Sequence, residues 1–149
     1  MNRPSGGPRG WPDPPAASGS PDGPDIAEIE AVARIGWYSL DIDSGRWISS
    51  PGLDRVLGID ADFDRSIGGW LSLVHPDERE ALAAYFADEV LGRRQAFDLR
   101  YRITRADTGS TRWVHGRGKL TLDGGGRPTA MLGTIADVVP FSQGANEVS

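Results

Sequence analysis

Phe97-Asp98-Leu99-Arg100-Tyr101-Arg102-Ile103-Thr104 is the most regular stretch of the chain. Its apolar residues Phe97, Leu99, Tyr101 and Ile103 alternate with polar ones, the period of two that sets one strand face on a core and the other in water. Downstream, Asp107-Thr108-Gly109 supplies turn residues, and a second strand runs through Trp113-Val114 to Leu122. Asp123-Gly124-Gly125-Gly126 turns the chain again, and Thr129 to Val138 forms a last strand. Its stretch Ala130 to Ala136 is apolar on both faces, the pattern of a central strand. Upstream the period lengthens. His75-Pro76-Asp77-Glu78 opens a helix, with proline in the first turn and two acids complementing the dipole. Leu82, Tyr85, Phe86 and Val90 follow on one face, and Gly92 is the expected stop. Residues 51–73 read as short helical or irregular pieces. Before them, Tyr38, Leu40 and Ile42 alternate with Ser39, Asp41 and Asp43, and Asp43-Ser44-Gly45 turns into a returning strand, Arg46 to Ser49. Asp25 caps a short helix carrying Ile26, Ile29, Val32 and Ala33. Strands and helices are segregated along the chain. The fold class is therefore α+β, an antiparallel sheet with helices on one face.

The 149 residues suffice for one domain. Seven of the eleven prolines fall within the first 24 residues, among several glycines, and this leader has Trp11 as its only large apolar group. Such a segment buries too little apolar surface to offset chain entropy, so residues 1–24 are expected to be disordered. Residues 25–139 are expected to form the folded domain and residues 140–149 a disordered tail. The chain has no cysteine, which removes disulfides, thiol catalysis, zinc ribbons and cysteinyl-flavin photochemistry. Neither a signal-peptide core nor a membrane span is legible, and a cytoplasmic location is the reading. A net charge of −5 argues against nonspecific binding to nucleic acid or anionic membranes, which needs concentrated positive charge.

From about Ile35 to Val138 the chain resembles a PAS domain, of the subgroup common in bacterial sensor kinases and cyclic-di-nucleotide enzymes. The residues that carry the resemblance run in order: Asp41-Ile42-Asp43-Ser44-Gly45, Ser50-Pro51, Leu57-Gly58, Trp70, and Leu73-Val74-His75-Pro76-Asp77-Glu78-Arg79. Tyr101-Arg102-Ile103 with Arg105-Ala106-Asp107, Arg112-Trp113-Val114 with Arg117-Gly118, and Gly126-Arg127-Pro128 with Gly133 and Asp137 complete the set. The resemblance implies a five-stranded antiparallel sheet, order 2-1-5-4-3, with helices packed over one face. It also implies a cavity between helices and sheet that holds a ligand in some members, and an outer sheet face used with the N-terminal helix for dimer or partner contacts. Three departures stand out. Ser49 occupies a position where the family usually has Trp, with Trp47 two residues earlier. Thr108 adds one residue to a turn. Val138-Val139 replace the usual Ile-Thr after Asp137, and Pro140 disfavours helical continuation from Val139. With nine residues left after Pro140, the expectation is a free-standing PAS protein without an output domain.

His75 and His115 are the only candidate haem ligands. His75 is explained by helix entry, and His115 lies on the strand face of Trp113 and Arg117, so no haem is expected; a noncovalent flavin is likewise not the preferred reading. Asp60, Asp62 and Asp64 have the spacing of the first calcium-loop ligands, but Arg65 and Leu71 stand where Gly and Glu are required. No metal is expected. Gly124-Gly125-Gly126 sits between two strands and reads as a turn rather than a phosphate cradle. Nothing forms a nucleophile–base constellation, so no enzymatic activity is expected. Tyr38, Leu40, Phe86, Tyr101, Ile103 and Leu132 are the candidate pocket residues, each of them equally usable by an ordinary core. Ile26, Ile29, Ala33 and Trp113 are the candidate partner-facing residues, and the resemblance assigns signal coupling to Asp137. The functional expectation is a signalling module acting by homodimerisation or by docking on a protein such as a histidine kinase. A sensor that binds a small molecule in the cavity is the alternative.

Overall fold

In the computed structural model, residue 23 and residues 25–138 are described. The expectations for the Pro/Gly-rich leader, Trp11, Pro140 and the tail lie outside the described residues. The chain divides into two units, residues 1–33 and 34–149. The first contains α1 (Ile26–Ala33). Its start is a reciprocal capping box: Glu28 N donates to Asp25 Oδ1 at 2.8 Å and Asp25 N to Glu28 Oε1 at 3.1 Å.

The second unit holds β1 (Ile35–Asp41), β2 (Arg46–Ser49), α2 (Pro51–Leu57), α3 (Ile67–Leu73), α4 (Pro76–Ala84), β3 (Phe97–Thr104), β4 (Thr111–Leu122) and β5 (Pro128–Asp137). The five strands form one antiparallel sheet in the order β2-β1-β5-β4-β3, as the resemblance implied. The alternation of the opening stretch is realised in β3, where Phe97, Tyr101 and Ile103 are buried on the inner face. Val114 of β4 and Met131 and Ile135 of β5 continue that face, and helices cover it with Leu53, Leu57, Leu73, Leu82, Phe86 and Val90.

The docking of α2 rests on two residues of minimal bulk. A Cβ on Gly36 would stand 2.0 Å from Leu53 N, so backbone meets backbone where α2 crosses β1. Beside it, the buried Ser50 Oγ accepts from Trp37 N at 3.0 Å and from Leu53 N at 3.2 Å. One hydroxyl thus caps the helix and satisfies the strand.

A second close approach shapes the inner face. Tyr38 lies opposite Gly133, which lies opposite Gly118 on the next strand. A Cβ on Gly133 would fall 2.3 Å from Tyr38 Oη and one on Gly118 2.5 Å from it. The phenol therefore lies along a trough made by two facing glycines, and its hydroxyl donates to Arg117 O at 3.1 Å. Burial raises the Tyr38 pKa well above the ordinary phenol value and pushes Tyr101 up to about 12.

The helix that begins at Pro76 departs from expectation at its far end. Gly92 does not stop it: Gly92 keeps right-handed helical angles, and the turn ends at Arg94, whose φ of +56° is left-handed. Its guanidinium offsets that strain by donating to the carbonyls of Leu91 at 3.0 Å and Gly92 at 3.3 Å. Between α4 and Gly92 the chain is π-helical over Tyr85–Leu91. An α-helix rotates residues four apart by about 40°. The wider π turn opposes that drift and keeps Leu82, Phe86 and Val90 on one buried line. The last strand also needs a correction. β5 is central in sheet order, yet Leu132 on its outer side is 60% exposed, so among the described residues only one face is covered.

Ser50→Ala should destabilise the chain by about 2–3 kcal/mol in urea denaturation, because it removes the cap and leaves Trp37 N–H without an acceptor. Gly133→Ala should cost at least about 1–3 kcal/mol by overpacking, because the added Cβ would stand 2.0 Å from the Arg117 carbonyl oxygen and 2.3 Å from the Tyr38 hydroxyl. The two buried phenols also set an alkaline limit. Their folded pKa values exceed the unfolded value near ~10, so their contribution is complete below that pH and is lost as pH rises towards 12 and beyond. Absorbance at the phenolate band should show Tyr38 and Tyr101 still un-ionised at about pH 11, with stability falling from about pH 10 upward.

Candidate functional site

Between the helices and the inner face of the sheet lies a cavity with about 50 Å³ of free space. Every strand contributes to its wall: Tyr38 and Leu40 from β1, Trp47 from β2, Phe97 and Tyr101 from β3, Gly116 from β4, Met131 and Ile135 from β5. Leu53 and Leu57 of α2, Ile67 and Trp70 of α3, and Phe86 of the π-helical segment close it from the helical side. One water needs ~10–15 Å³, so the space admits a group of a few heavy atoms. A flavin or a haem is far larger. The aromatic rings fill most of the volume themselves: Trp70 meets Phe86, Phe97 and Tyr101 edge-on at centroid distances of 5.9, 6.1 and 6.2 Å.

The wall carries no charged side chain. Four of its side chains bear an N–H or O–H, and three of those donors are engaged. Tyr38 Oη donates to Arg117 O, Trp47 Nε1 to Ser66 O at 2.8 Å, and Trp70 Nε1 to Tyr101 Oη at 3.1 Å. Among the described residues nothing accepts from the Tyr101 hydroxyl, although Tyr101 is 3% exposed.

Of the pocket residues expected from sequence, Tyr38, Leu40, Phe86 and Tyr101 meet at this cavity. Ile103 is fully buried but belongs to the core, where it pairs with Val74 away from the cavity wall. Leu132 is corrected outright: alternation turns it to the outer face. Trp47 and Trp70 were not among those candidates. Trp47 was nevertheless legible, because the Asp43-Ser44-Gly45 turn sets Leu40 opposite Trp47 and residues so paired share a face. Trp70, on a short helix with no clear period, gave no such signal. The Ser49 departure has a local consequence. Ser49 Oγ donates to Asp54 Oδ1 at 2.6 Å and accepts from Arg65 Nε at 3.0 Å, while Arg65 sits 5.7 Å over the Trp47 ring.

Neither histidine reaches the cavity wall. His75 caps α4 with Nδ1 accepting from Asp77 N at 3.1 Å. His115 Nε2 lies 2.6 Å from Asp98 Oδ1 on the outer side of the sheet. The acidic loop is tied internally, with Asp60 Oδ1 accepting from Asp62 N and Asp64 paired with Arg46 at 3.1 Å.

The outer sheet face has a different character. One row across β2, β1, β5 and β4 reads Ile48, Ser39, Leu132, Lys119, and the next reads Trp37, Thr134, Arg117. Ile48 and Leu132 are about three-fifths exposed, and Trp113 and Trp37 are partly exposed. Arg100, Arg117 and Lys119 are exposed and make no ion pair among the described residues. On α1, Ile26, Ile29 and Ala33 are exposed. At the end of β5, Asp137 Oδ2 pairs with Arg112 Nη1 at 3.0 Å and Arg34 Nη2 at 3.4 Å, and Asp137 N donates to Arg34 O at 2.8 Å. The entry and exit strands of the domain are pinned at that carboxylate.

This architecture is shared with known sensor proteins. A sensory box histidine kinase/response regulator from Burkholderia thailandensis superposes with a TM-score of 0.62 at 25% identity, covering 76% of this chain and 83% of that one. The N-terminal domain of a diguanylate cyclase with PAS/PAC sensor from Marinobacter aquaeolei gives 0.62 at 18% identity, over 69% and 94%. An RNA-binding light-oxygen-voltage receptor gives 0.62 at 24% identity, over 76% of this chain and 32% of that one. The last two likenesses are of fold alone. No curated protein sequence matches the chain. No helix among the described residues is long and apolar enough to cross a membrane. The family described as the PAS fold matches residues 46–135, and the chain belongs to it.

Proposed function

We propose that the chain is a non-enzymatic, cytoplasmic signalling module that acts by protein–protein contact through the outer face of its sheet. The observation that carries this reading is that face: exposed Trp37, Ile48, Trp113 and Leu132 beside Arg100, Arg117 and Lys119, which make no ion pair among the described residues. Apolar side chains rimmed by charge are the usual composition of an interaction surface. The cations select for a partner with acidic groups around an apolar ridge. The chain itself supplies such a segment in Asp25-Ile26-Ala27-Glu28-Ile29, so a homodimer satisfies the requirement, and so does an acidic helix of a signalling protein such as a histidine kinase. Asp137, held by Arg112 and Arg34, is the proposed point where a disturbance at the chain ends reaches the sheet.

The cavity favours a second reading, a sensor whose ligand modulates that contact. Its support is an uncharged, largely aromatic space reached by all five strands and three helical segments. The two readings are compatible, since the inner and outer faces belong to the same strands.

Size-exclusion chromatography with light scattering should give twice the 16.0 kDa chain mass at micromolar concentration. Leu132→Asp should return the chain to monomer with its melting temperature unchanged within about 1–2 °C, as expected of an exposed position. A strict monomer that also retains no partner in pull-down overturns the contact reading. For the sensor reading, native mass spectrometry of the purified chain should show a bound small molecule. Saturating that molecule at a hundred times its Kd should stabilise the fold by about 2.7 kcal/mol. A chain of unloaded mass that no added ligand stabilises counts against it.

A further inference from the structure

The donor inventory of the cavity specifies its ligand more narrowly than its size does. Four side chains on the wall carry an N–H or O–H, and three of those donors are satisfied by the protein: Tyr38 by Arg117 O, Trp47 by Ser66 O, and Trp70 by Tyr101 Oη. The remaining one is the O–H of Tyr101. Its oxygen receives the Trp70 bond, which turns its hydrogen away from that ring, and an added Cβ on the wall residue Gly116 would stand 3.4 Å from it. A buried hydroxyl that donates to nothing costs free energy, and a group that accepts from it recovers that cost. No charged side chain lines the space to stabilise an ion there.

We infer that the cavity takes a small neutral molecule with an apolar body and one hydrogen-bond acceptor, a carbonyl or ether oxygen, which the Tyr101 hydroxyl anchors. This inference rests on the cavity being a binding site. Ammonium ions and carboxylates are excluded, because they bring charge into a wall without counter-charge. The buried phenol stays un-ionised well above neutral pH, so the donor is present throughout the physiological range.

Two near-isosteric probes test it: cyclopentanone, which accepts a hydrogen bond, and methylenecyclopentane, which does not. Each is titrated into the full chain carrying 13C at tyrosine Cζ. Both should bind saturably, and the Tyr101 Cζ resonance should move with cyclopentanone and stay in place with methylenecyclopentane. Because Tyr101→Phe alone would free Trp70 Nε1–H to donate instead, the variant comparison is Trp70→Phe against Trp70→Phe with Tyr101→Phe. Removing the hydroxyl in that background should weaken cyclopentanone by about 2- to 12-fold, the worth of one net hydrogen bond, and leave methylenecyclopentane unchanged. If both probes bind but the Tyr101 resonance and the affinity ratio ignore the carbonyl, the acceptor inference is overturned and the cavity reading stands. If neither probe binds saturably, the cavity reading falls and takes the inference with it. The labelled parent chain decides the matter even where the double variant does not fold.

Discussion

A phenol laid across two facing glycines governs the interior of this domain. Tyr38 on β1 spans Gly133 of β5 and Gly118 of β4, and no side chain larger than hydrogen fits at either position without displacing it. The ring reaches the Arg117 carbonyl and so ties three neighbouring strands from within. Lying flat, it leaves depth above the middle of the sheet that an upright tyrosine would occupy. The cavity is the remainder of that depth after Trp47, Trp70, Phe86, Phe97 and Tyr101 have entered from the flanks. Packing to native density elsewhere makes the residual space specific in shape.

The helical layer is fitted to this arrangement at two points. Gly36 and Ser50 bring α2 into backbone contact with β1, which fixes Leu53 and Leu57 over one end of the cavity. The π-helical turn after α4 keeps Phe86 aimed at the other end by widening the helix. Both devices work through the backbone, and both keep apolar residues on the wall without adding a polar group to it. The cavity wall is left with one donor, the Tyr101 hydroxyl, that no acceptor among the described residues meets.

Inner and outer faces are coupled by construction, because successive residues of each strand point to opposite sides. Tyr38 in the trough is flanked by Trp37 on the outer face, and Met131 on the cavity wall by Leu132 outside. A change in the space beneath the helices that shifts Tyr38 or Met131 moves their outer neighbours by the same backbone. Membership of the PAS fold family places this geometry among sensory modules.

The sequence by itself determined the segregation of strands from helices, the strand and turn positions, the helix start at His75-Pro76 and the resemblance that implied the sheet order, since periodicity, caps and turn chemistry are local. Tyr38, Leu40 and Tyr101 of the cavity wall were legible because alternation assigns a strand residue to a face, and Phe86 because it shares a helical face with Leu82 and Val90. Leu132 and Ile103 show where that reasoning stops. An apolar run in a central strand has the same pattern whether one face is covered or two, and alternation does not tell which inward residues border a void and which are packed solid. Gly92 was misjudged for a related reason: a guanidinium reaching back to free carbonyls let Arg94 take the left-handed turn that glycine usually supplies. Only the tertiary structure decided that Gly118 and Gly133 face each other beneath Tyr38, and that the Tyr101 hydroxyl finds no acceptor among the described residues. Both depend on which strands become neighbours, a nonlocal pairing that no spacing along the chain records.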